Sequence, residues 1–510
     1  MNKIDNRIFD HIVIGAGSAG CVVAARLARA GRRVALIEAG SSDEGNMDAL
    51  DLGRWKNLVG TEHDYDYRTK PQPRSNSTIR HTRGRILGGT SSINTCIAFR
   101  TPAVDLEQWV TKGAMGWEPE IIRPIFDRLL ESVHLESASP DSPFHHDLIA
   151  AANAADVPLV AFNQNGAPVP ATGGIGYLEF NKRGNMRQSA SVAFLHPLAQ
   201  WGEELTIVTN TRALRLLLDD NQRAIGVETD NGTLTCSSDL IVSCGAFDTP
   251  TLLMRSGIGP AAHLAEHAIE VRHELAGVGE HLLDHSDSMI AWETNRPIPQ
   301  HDLNAMGMAL FGRTSPDLSA PDMMCHIGTV VFDTYTLPQG YPTAEHGFSF
   351  APNVARARST GTVRLRSANP NEPPRIDFQY FTDPYDEHIM VEGLKFARRI
   401  ATQPPLRDWI KRELFPGEAV TSDEALSAYG RQVAGTVYHP AGTCKMGSPH
   451  DETAVVDPTL RVRGINNLRV ADASIFPTMI GVNPNLTCMM IGARCAEFIL
   501  TDRLSQGREA

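Results

Sequence analysis

In the stretch Phe9-Asp10-His11-Ile12-Val13-Ile14-Gly15-Ala16-Gly17-Ser18-Ala19-Gly20, an apolar run of strand length meets three glycines at the spacing of a strand, a tight turn and a helix start. Phe9 to Ile14 reads as a buried strand. An Ala-rich helix follows and ends near Gly31, and a second strand, Val34 to Ile37, delivers Glu38 and Ala39. Gly15 permits the turn, Gly17 lets the backbone approach a pyrophosphate, and Gly20 brings helix and strand together. The helix start at Ser18 and Ala19 faces the phosphates with its free N–H groups. Glu38 stands where it would meet a ribose hydroxyl, and its acidity argues against a 2′-phosphate. This combination predicts dinucleotide binding, with FAD and NAD both open.

Composition sets the outer bounds. The chain has 510 residues, is 42% hydrophobic and 21% charged, and carries a net charge of −12. That is long enough for two or more domains with substantial cores. No long basic block occurs, so nucleic-acid binding is not expected. The eight cysteines form no CxxC pair and show no metal-ligand spacing, which predicts reduced thiols, no metal and a cytoplasmic location. Neither a leader peptide nor an apolar run of membrane-spanning length is evident.

Short strands at Leu205 to Val208, Ala213 to Leu216, Ala224 to Glu228 and Leu240 to Ser243 return to the nucleotide domain. Turn clusters such as Asp219-Asp220-Asn221 separate them. From about Asp287 to Thr436 the segments are longer, mixed and rich in proline, with a strand at Thr362 to Leu365, which predicts a second domain inserted into the first. Leu468 to Ser474 is strand-like again, and Thr487 to Ile499 reads as a closing helix.

Near the end stand Val437-Tyr438-His439-Pro440-Ala441-Gly442-Thr443 and Val482-Asn483-Pro484-Asn485. A proton acceptor paired with a neutral hydrogen-bond donor suits an alcohol that must be held as an alkoxide before it loses hydride. Pro484 biases Asn483 toward an extended backbone, which helps aim its amide.

A second glycine-rich element runs Gly84-Arg85-Ile86-Leu87-Gly88-Gly89-Thr90-Ser91-Ser92-Ile93-Asn94, with small residues where backbone would pass close to a flat or phosphorylated ligand. This element, with Gly245-Ala246-Phe247-Asp248-Thr249-Pro250 running on to Ser256-Gly257-Ile258-Gly259-Pro260, resembles the two signature patterns of the glucose-methanol-choline oxidoreductases. Gly277-Val278-Gly279-Glu280-His281-Leu282-Leu283-Asp284-His285, His439 and Asn483 fit the same family, and the resemblance runs from about Phe9 to Ile499. It is strongest to the choline oxidase branch, through Tyr341-Pro342-Thr343, Gly361 to Ser367 and Tyr380 to Pro384.

The resemblance implies an α/β fold: a Rossmann-like FAD-binding domain (1–150, 191–286 and 437–510) plus a mixed α+β substrate domain built on an antiparallel sheet (151–190 and 287–436). It implies FAD as cofactor and oxidation of a primary alcohol to an aldehyde, with O2 as acceptor giving H2O2 in the oxidase branch. Another electron acceptor and a homodimer are compatible with it. His439 matches the catalytic histidine, Asn483 the residue beside the flavin's reactive edge, and His326 a second active-site histidine. Beyond the fingerprint residues, Arg85, Gly88, Gly89, Asn94, Thr95, Cys96, Ile97, Ala213, Asp472, Ala473, Asn483 and Pro484 fall at cofactor positions. Asp287 falls where a carboxylate receives the substrate's ammonium, and Tyr67, Met306, Phe332, Val437 and Tyr438 are expected around the substrate.

Two departures stand out. Ile93 occupies the position of the histidine that links covalently to flavin, so noncovalent FAD is expected. The stretch Leu303-Asn304-Ala305-Met306 has no aromatic where the choline oxidases present tryptophan. A choline-like amino alcohol is the leading substrate class. Uncharged aryl or aliphatic primary alcohols are the alternative, and the fold also hosts flavin-containing hydroxynitrile lyases.

Overall fold

The computed structural model describes residues 8–75, 78–164, 167–198, 204–300 and 305–506. Five strands, Leu205–Val208, Val34–Ile37, His11–Ile14, Leu240–Val242 and Leu468–Val470, lie side by side in that order, all parallel. The three central strands and Leu468–Val470 are apolar and buried along nearly their whole length, as strands covered on both faces must be. The helix Ser18–Arg29 crosses from the first strand to the second. The closing helix packs on it, with Gly492 meeting Ala19 where a Cβ would collide with the Ala19 carbonyl.

The first strand is divided. Ile8–Phe9 pairs with Gly232–Cys236 in a separate four-stranded sheet, whereas His11–Ile14 enters the parallel sheet. At the break, the Asp10 carboxylate accepts the Arg33 N–H at 2.9 Å, a bond to the entry of the next strand. The closing helix spans Asn485–Gln506, longer than expected. Pro484 precedes it, and Leu500 carries its apolar contacts past the expected end.

The second sheet has eight strands, antiparallel throughout. Its main path runs Ile410–Phe415, Ile290–Thr294, Gly347–Val354, Met323–Gly328, Met306–Gly312 and Gly174–Tyr177, with Ser286–Asp287 beside Gly347–Val354 and Gly435–Thr436 beyond it. Alternation gives this sheet two different faces. Met323, Cys325, Ile327, Phe348, Phe350 and Val354 join the core beneath the helix Pro384–Ala401, while Met324, Ala309 and Phe311 join the core of the parallel sheet. His326 lies two residues from Met324 and is opposite Ala309 in register, so it projects toward the nucleotide-binding half. Among the described residues, no helix is long and apolar enough to cross a membrane.

Candidate active site

A cleft opens at the carboxyl ends of the parallel strands. Gly15, Gly17, Ser18, Ala19, Glu38, Ala39, Gly89, Ala213, Asp472 and Ala473 all line it. Gly15 has φ +96, and a side chain there would strike Ser243, so the turn requires glycine. A Cβ on Gly17 would meet nothing within 4 Å, which leaves room for a ligand to approach the helix N-terminus. The Glu38 carboxylate accepts the N–H groups of Ala16 at 3.0 Å and Gly40 at 2.9 Å, and burial pushes its pKa up to about 7. Asp472 accepts from Thr249 Oγ1 at 2.6 Å and from the Gly245 N–H at 2.8 Å. Three arginines, Arg83, Arg212 and Arg255, also line the cleft and suit an anionic ligand. This donor set and glycine cradle fit FAD.

Other expected cofactor residues shape the cradle from behind. Gly20 packs on Gly15, Gly88 donates its N–H to the Ala16 carbonyl at 2.8 Å, and the Arg85 guanidinium lies 5.9 Å from the Tyr65 ring centre. Asn94 Oδ1 accepts the Cys96 N–H at 3.0 Å, which closes the turn that leads to Ile97. Arg187, which no local motif announces, organises this loop. It is fully buried and donates to the Ala49 and Asn94 carbonyls at 3.0 and 2.6 Å and to Asn94 Oδ1 at 2.9 Å. Ile93 packs with Ala49, Leu58 and Ile86. Thr95 carries no further assignment from the geometry.

Beyond the cleft, His439 and Asn483 come together. His439 Nε2 is 3.3 Å from Asn483 Nδ2, and His439 Nδ1 is 2.8 Å from His285 Nδ1. The proton positions follow from the outer end of this chain. His285 Nε2 lies 2.8 Å from the carbonyl oxygens of both Ala355 and Ile480, which can only accept, so Nε2 carries the proton. Burial lowers the His285 pKa to about 4, so the ring is neutral and its Nδ1 accepts. His439 therefore donates from Nδ1, and its unprotonated Nε2 accepts the Asn483 Nδ2–H, the position an alcohol proton would take. Burial, then the neighbouring His285 and His326, hold the His439 pKa well below the ordinary histidine value. His326 Nε2 lies 3.4 Å from Asn483 Oδ1, an arrangement that fixes which end of the amide faces His439. Burial lowers the His326 pKa to about 4.

The backbone around His439 is anchored as firmly. Tyr438 has φ +66, and the next N–H, that of His439, donates to Asp284 Oδ1 at 2.8 Å. Thr436 Oγ1 and Tyr380 Oη donate to the other Asp284 oxygen, each at 2.5 Å, and burial pushes the Asp284 pKa up to about 6. Val437 is half-buried and bonds through its N–H to the His285 carbonyl at 3.2 Å, whereas Tyr438 is 36% exposed.

Asp287 is 2% exposed, and neither carboxylate oxygen has a hydrogen-bond partner among the described residues. Burial, then the charge of Asp284, pushes its pKa up to about 7. A Cβ on Gly435 would lie 2.6 Å from both Asp287 Oδ1 and the Tyr335 ring, so carboxylate and ring share the space that glycine leaves. Tyr335 is thus the aromatic beside Asp287. Tyr67, expected there, instead packs in the core against Tyr65 and Phe247 and donates its hydroxyl to Asp248 at 2.6 Å. The apolar contacts of its Tyr-x-Tyr setting bury the ring, and Asp248 takes its one polar atom. Phe332 packs on Gly328, the register partner of Met306, so both expected residues lie at the same end of the sheet. Leu303 and Asn304 lie outside the described residues.

Among the described residues one histidine and glutamate cluster has metal-like spacing, His263, Glu266 and His267. His263 Nε2 accepts the Leu365 N–H at 3.1 Å, which places the ring proton on Nδ1 against Glu266 and leaves no lone pair for an ion. All eight cysteines are free thiols.

Two family profiles, both described as GMC oxidoreductase, match residues 9–287 and 357–492. The chain is 43% identical to a choline oxidase of Arthrobacter globiformis over 99% of its own length and 97% of that protein. It is 32% identical to an alcohol dehydrogenase [acceptor] of Pseudomonas putida, covering 97% of this chain and 96% of that one. The crystal structure of pyridoxine 4-oxidase from Mesorbium loti superposes with a TM-score of 0.88 at 26% identity, covering 96% of this chain and 98% of that one.

Proposed function

This chain belongs to the GMC oxidoreductase family, and on that premise we propose that it oxidises a choline-like amino alcohol to its aldehyde with O2 as acceptor. The coarser activity, FAD-dependent oxidation of an alcohol, is that of the family and of the chain's relatives. In balance, a primary alcohol and O2 become an aldehyde and H2O2. Bound FAD supplies the acceptor for the hydride from the alcohol carbon.

The chain's own residues do the rest. His439 Nε2, unprotonated at neutral pH, takes the hydroxyl proton, and its Nδ1–H bond to His285 holds the ring in the tautomer that makes this possible. Asn483 Nδ2 donates to the alkoxide oxygen without competing for its proton. His326 keeps that amide facing inward. Asp287 receives the cationic end of the substrate, and the Tyr335 ring lies along it. The observation that carries the substrate class is the unpartnered, buried Asp287 carboxylate: such a group is costly unless a cation completes it.

The proposed division is an FAD-binding domain of 1–150, 191–286 and 437–510 and a substrate domain of 151–190 and 287–436; the five-stranded parallel sheet falls within the first and the eight-stranded sheet, Ser286 apart, within the second, while Leu135–Ser137 pairs with Glu179–Arg183 across the boundary. The eight free thiols favour a reducing, cytoplasmic setting, and a homodimer is compatible with the family. The test is anaerobic mixing of holoenzyme with choline, amino alcohols and neutral primary alcohols, followed by admission of air. Flavin bleaching by amino alcohols and rapid return of colour in air are expected. Bleaching confined to neutral alcohols overturns the substrate class, and colour that returns only with another acceptor overturns the oxidase assignment. In His439→Ala the rate constant of bleaching should fall at least about a hundredfold with FAD retained.

A further inference from the structure

Asp287 has a neighbour that no sequence motif marks. Asp287 and Asn353 are opposed in register across the strands Ser286–Asp287 and Gly347–Val354, so both side chains leave the same face of the sheet. It is the face of His326, because Ala351, two residues before Asn353, is the register partner of His326. Asn353 is 1% exposed. Its Nδ2 donates to the Ala351 carbonyl at 3.3 Å, which fixes the amide and leaves Oδ1 as an acceptor. That Oδ1, like both Asp287 oxygens, is buried without a donor among the described residues.

We infer that Asp287 and Asn353 together form a specificity site for a protonated amine, a cation bearing N–H, in preference to a quaternary ammonium. This rests on the proposed reading of Asp287 as the partner of a cationic substrate group, and adds Asn353 and the hydrogen-bonding character of that group. A quaternary ammonium hides its charge behind methyl groups and donates nothing. It would leave Asn353 Oδ1 dry and unpaired, and it is best held by several aromatic faces. Tyr335 is one ring that shares space with Asp287 here. A protonated amine places one N–H on the carboxylate, as a charge-assisted bond, and a second on the amide oxygen. Both orphaned groups are then satisfied by one ligand atom, and a site built to accept N–H rejects an analogue lacking it more strongly than one built on contact alone.

The test is anaerobic flavin reduction of holoenzyme near about pH 8 by 2-aminoethanol, its mono- and dimethylated forms, choline, and neutral 3,3-dimethylbutan-1-ol. The ratio of reduction rate constant to Kd should be at least about tenfold higher for the amines that carry N–H than for choline. In Asn353→Leu the preference for those amines over choline should collapse toward one, with Asn353→Ser as the second variant should the first lose FAD. Choline equal to the amines in the native enzyme overturns the inference, and so does a ratio that survives both substitutions. If cations outperform the neutral alcohol but do not differ among themselves, this inference fails and the role of Asp287 stands. If the neutral alcohol performs as well as every cation, the role of Asp287 fails and this inference with it.

Discussion

At Asp287 a single proton couples the proposed binding of a cationic substrate to stability. Burial raises its pKa from 3.8 to about 7, so it is ionised only above that value. Binding of a cationic alcohol should therefore tighten as pH rises through about 7 and be lost below it, while a neutral alcohol shows no such limb; a pH series of Kd from anaerobic titration checks this. Asp287→Asn should abolish the limb. It should also stabilise the protein at about pH 8, because the folded state holds a proton that the unfolded state releases between 3.8 and about 7. The cost of Asp287 therefore grows as pH rises through that window, to the order of a few kcal/mol. Thermal denaturation should show a higher Tm for the variant at about pH 8 and no difference at about pH 4. His439 behaves oppositely in kind: burial keeps it neutral well below the usual histidine range, so it remains a base wherever Asp287 is charged.

At the scale of elements, the loop from Ser91 to Cys96 depends on one side chain outside it. Arg187 satisfies the Ser91 and Asn94 carbonyls and the Asn94 side chain from a fully buried position. Leucine at this site would fill similar space and leave those acceptors unpaired. Arg187→Leu should weaken FAD binding at least about tenfold with far-ultraviolet circular dichroism unchanged, as measured by flavin fluorescence on dilution. Unaltered FAD affinity would show that the loop holds its form without the arginine. The strands of the parallel sheet were legible at this scale because burial on both faces makes them continuous apolar runs. The break at Asp10 was not legible, since it depends on Arg33 from the next strand's entry.

At the scale of the whole molecule, the antiparallel sheet serves two cores at once, and its alternation turns His326 toward the nucleotide half. The site lies where that face meets the loops carrying His439 and Asn483. Ile93 stands in a small apolar cluster with Ala49, Leu58 and Ile86, and an aliphatic side chain forms no bond to flavin. Acid precipitation of holoenzyme should therefore release all yellow colour to the supernatant; flavin left on the pellet would contradict noncovalent binding.

The sequence alone determined the nucleotide fingerprint with its flanking strands, and it singled out His439, Asn483 and His326 as candidates, because each depends on neighbours within a few residues or on a family pattern carried along the chain. Only the tertiary structure decided that His285 sets the tautomer of His439, that Asp284 anchors its backbone, that Tyr335 rather than Tyr67 borders Asp287, and that Asn353 faces it. Those relations join residues far apart in the chain through register and burial. A local pattern carries no information about which face of a distant strand will be opposite it, and that is the property on which the proposed substrate choice rests.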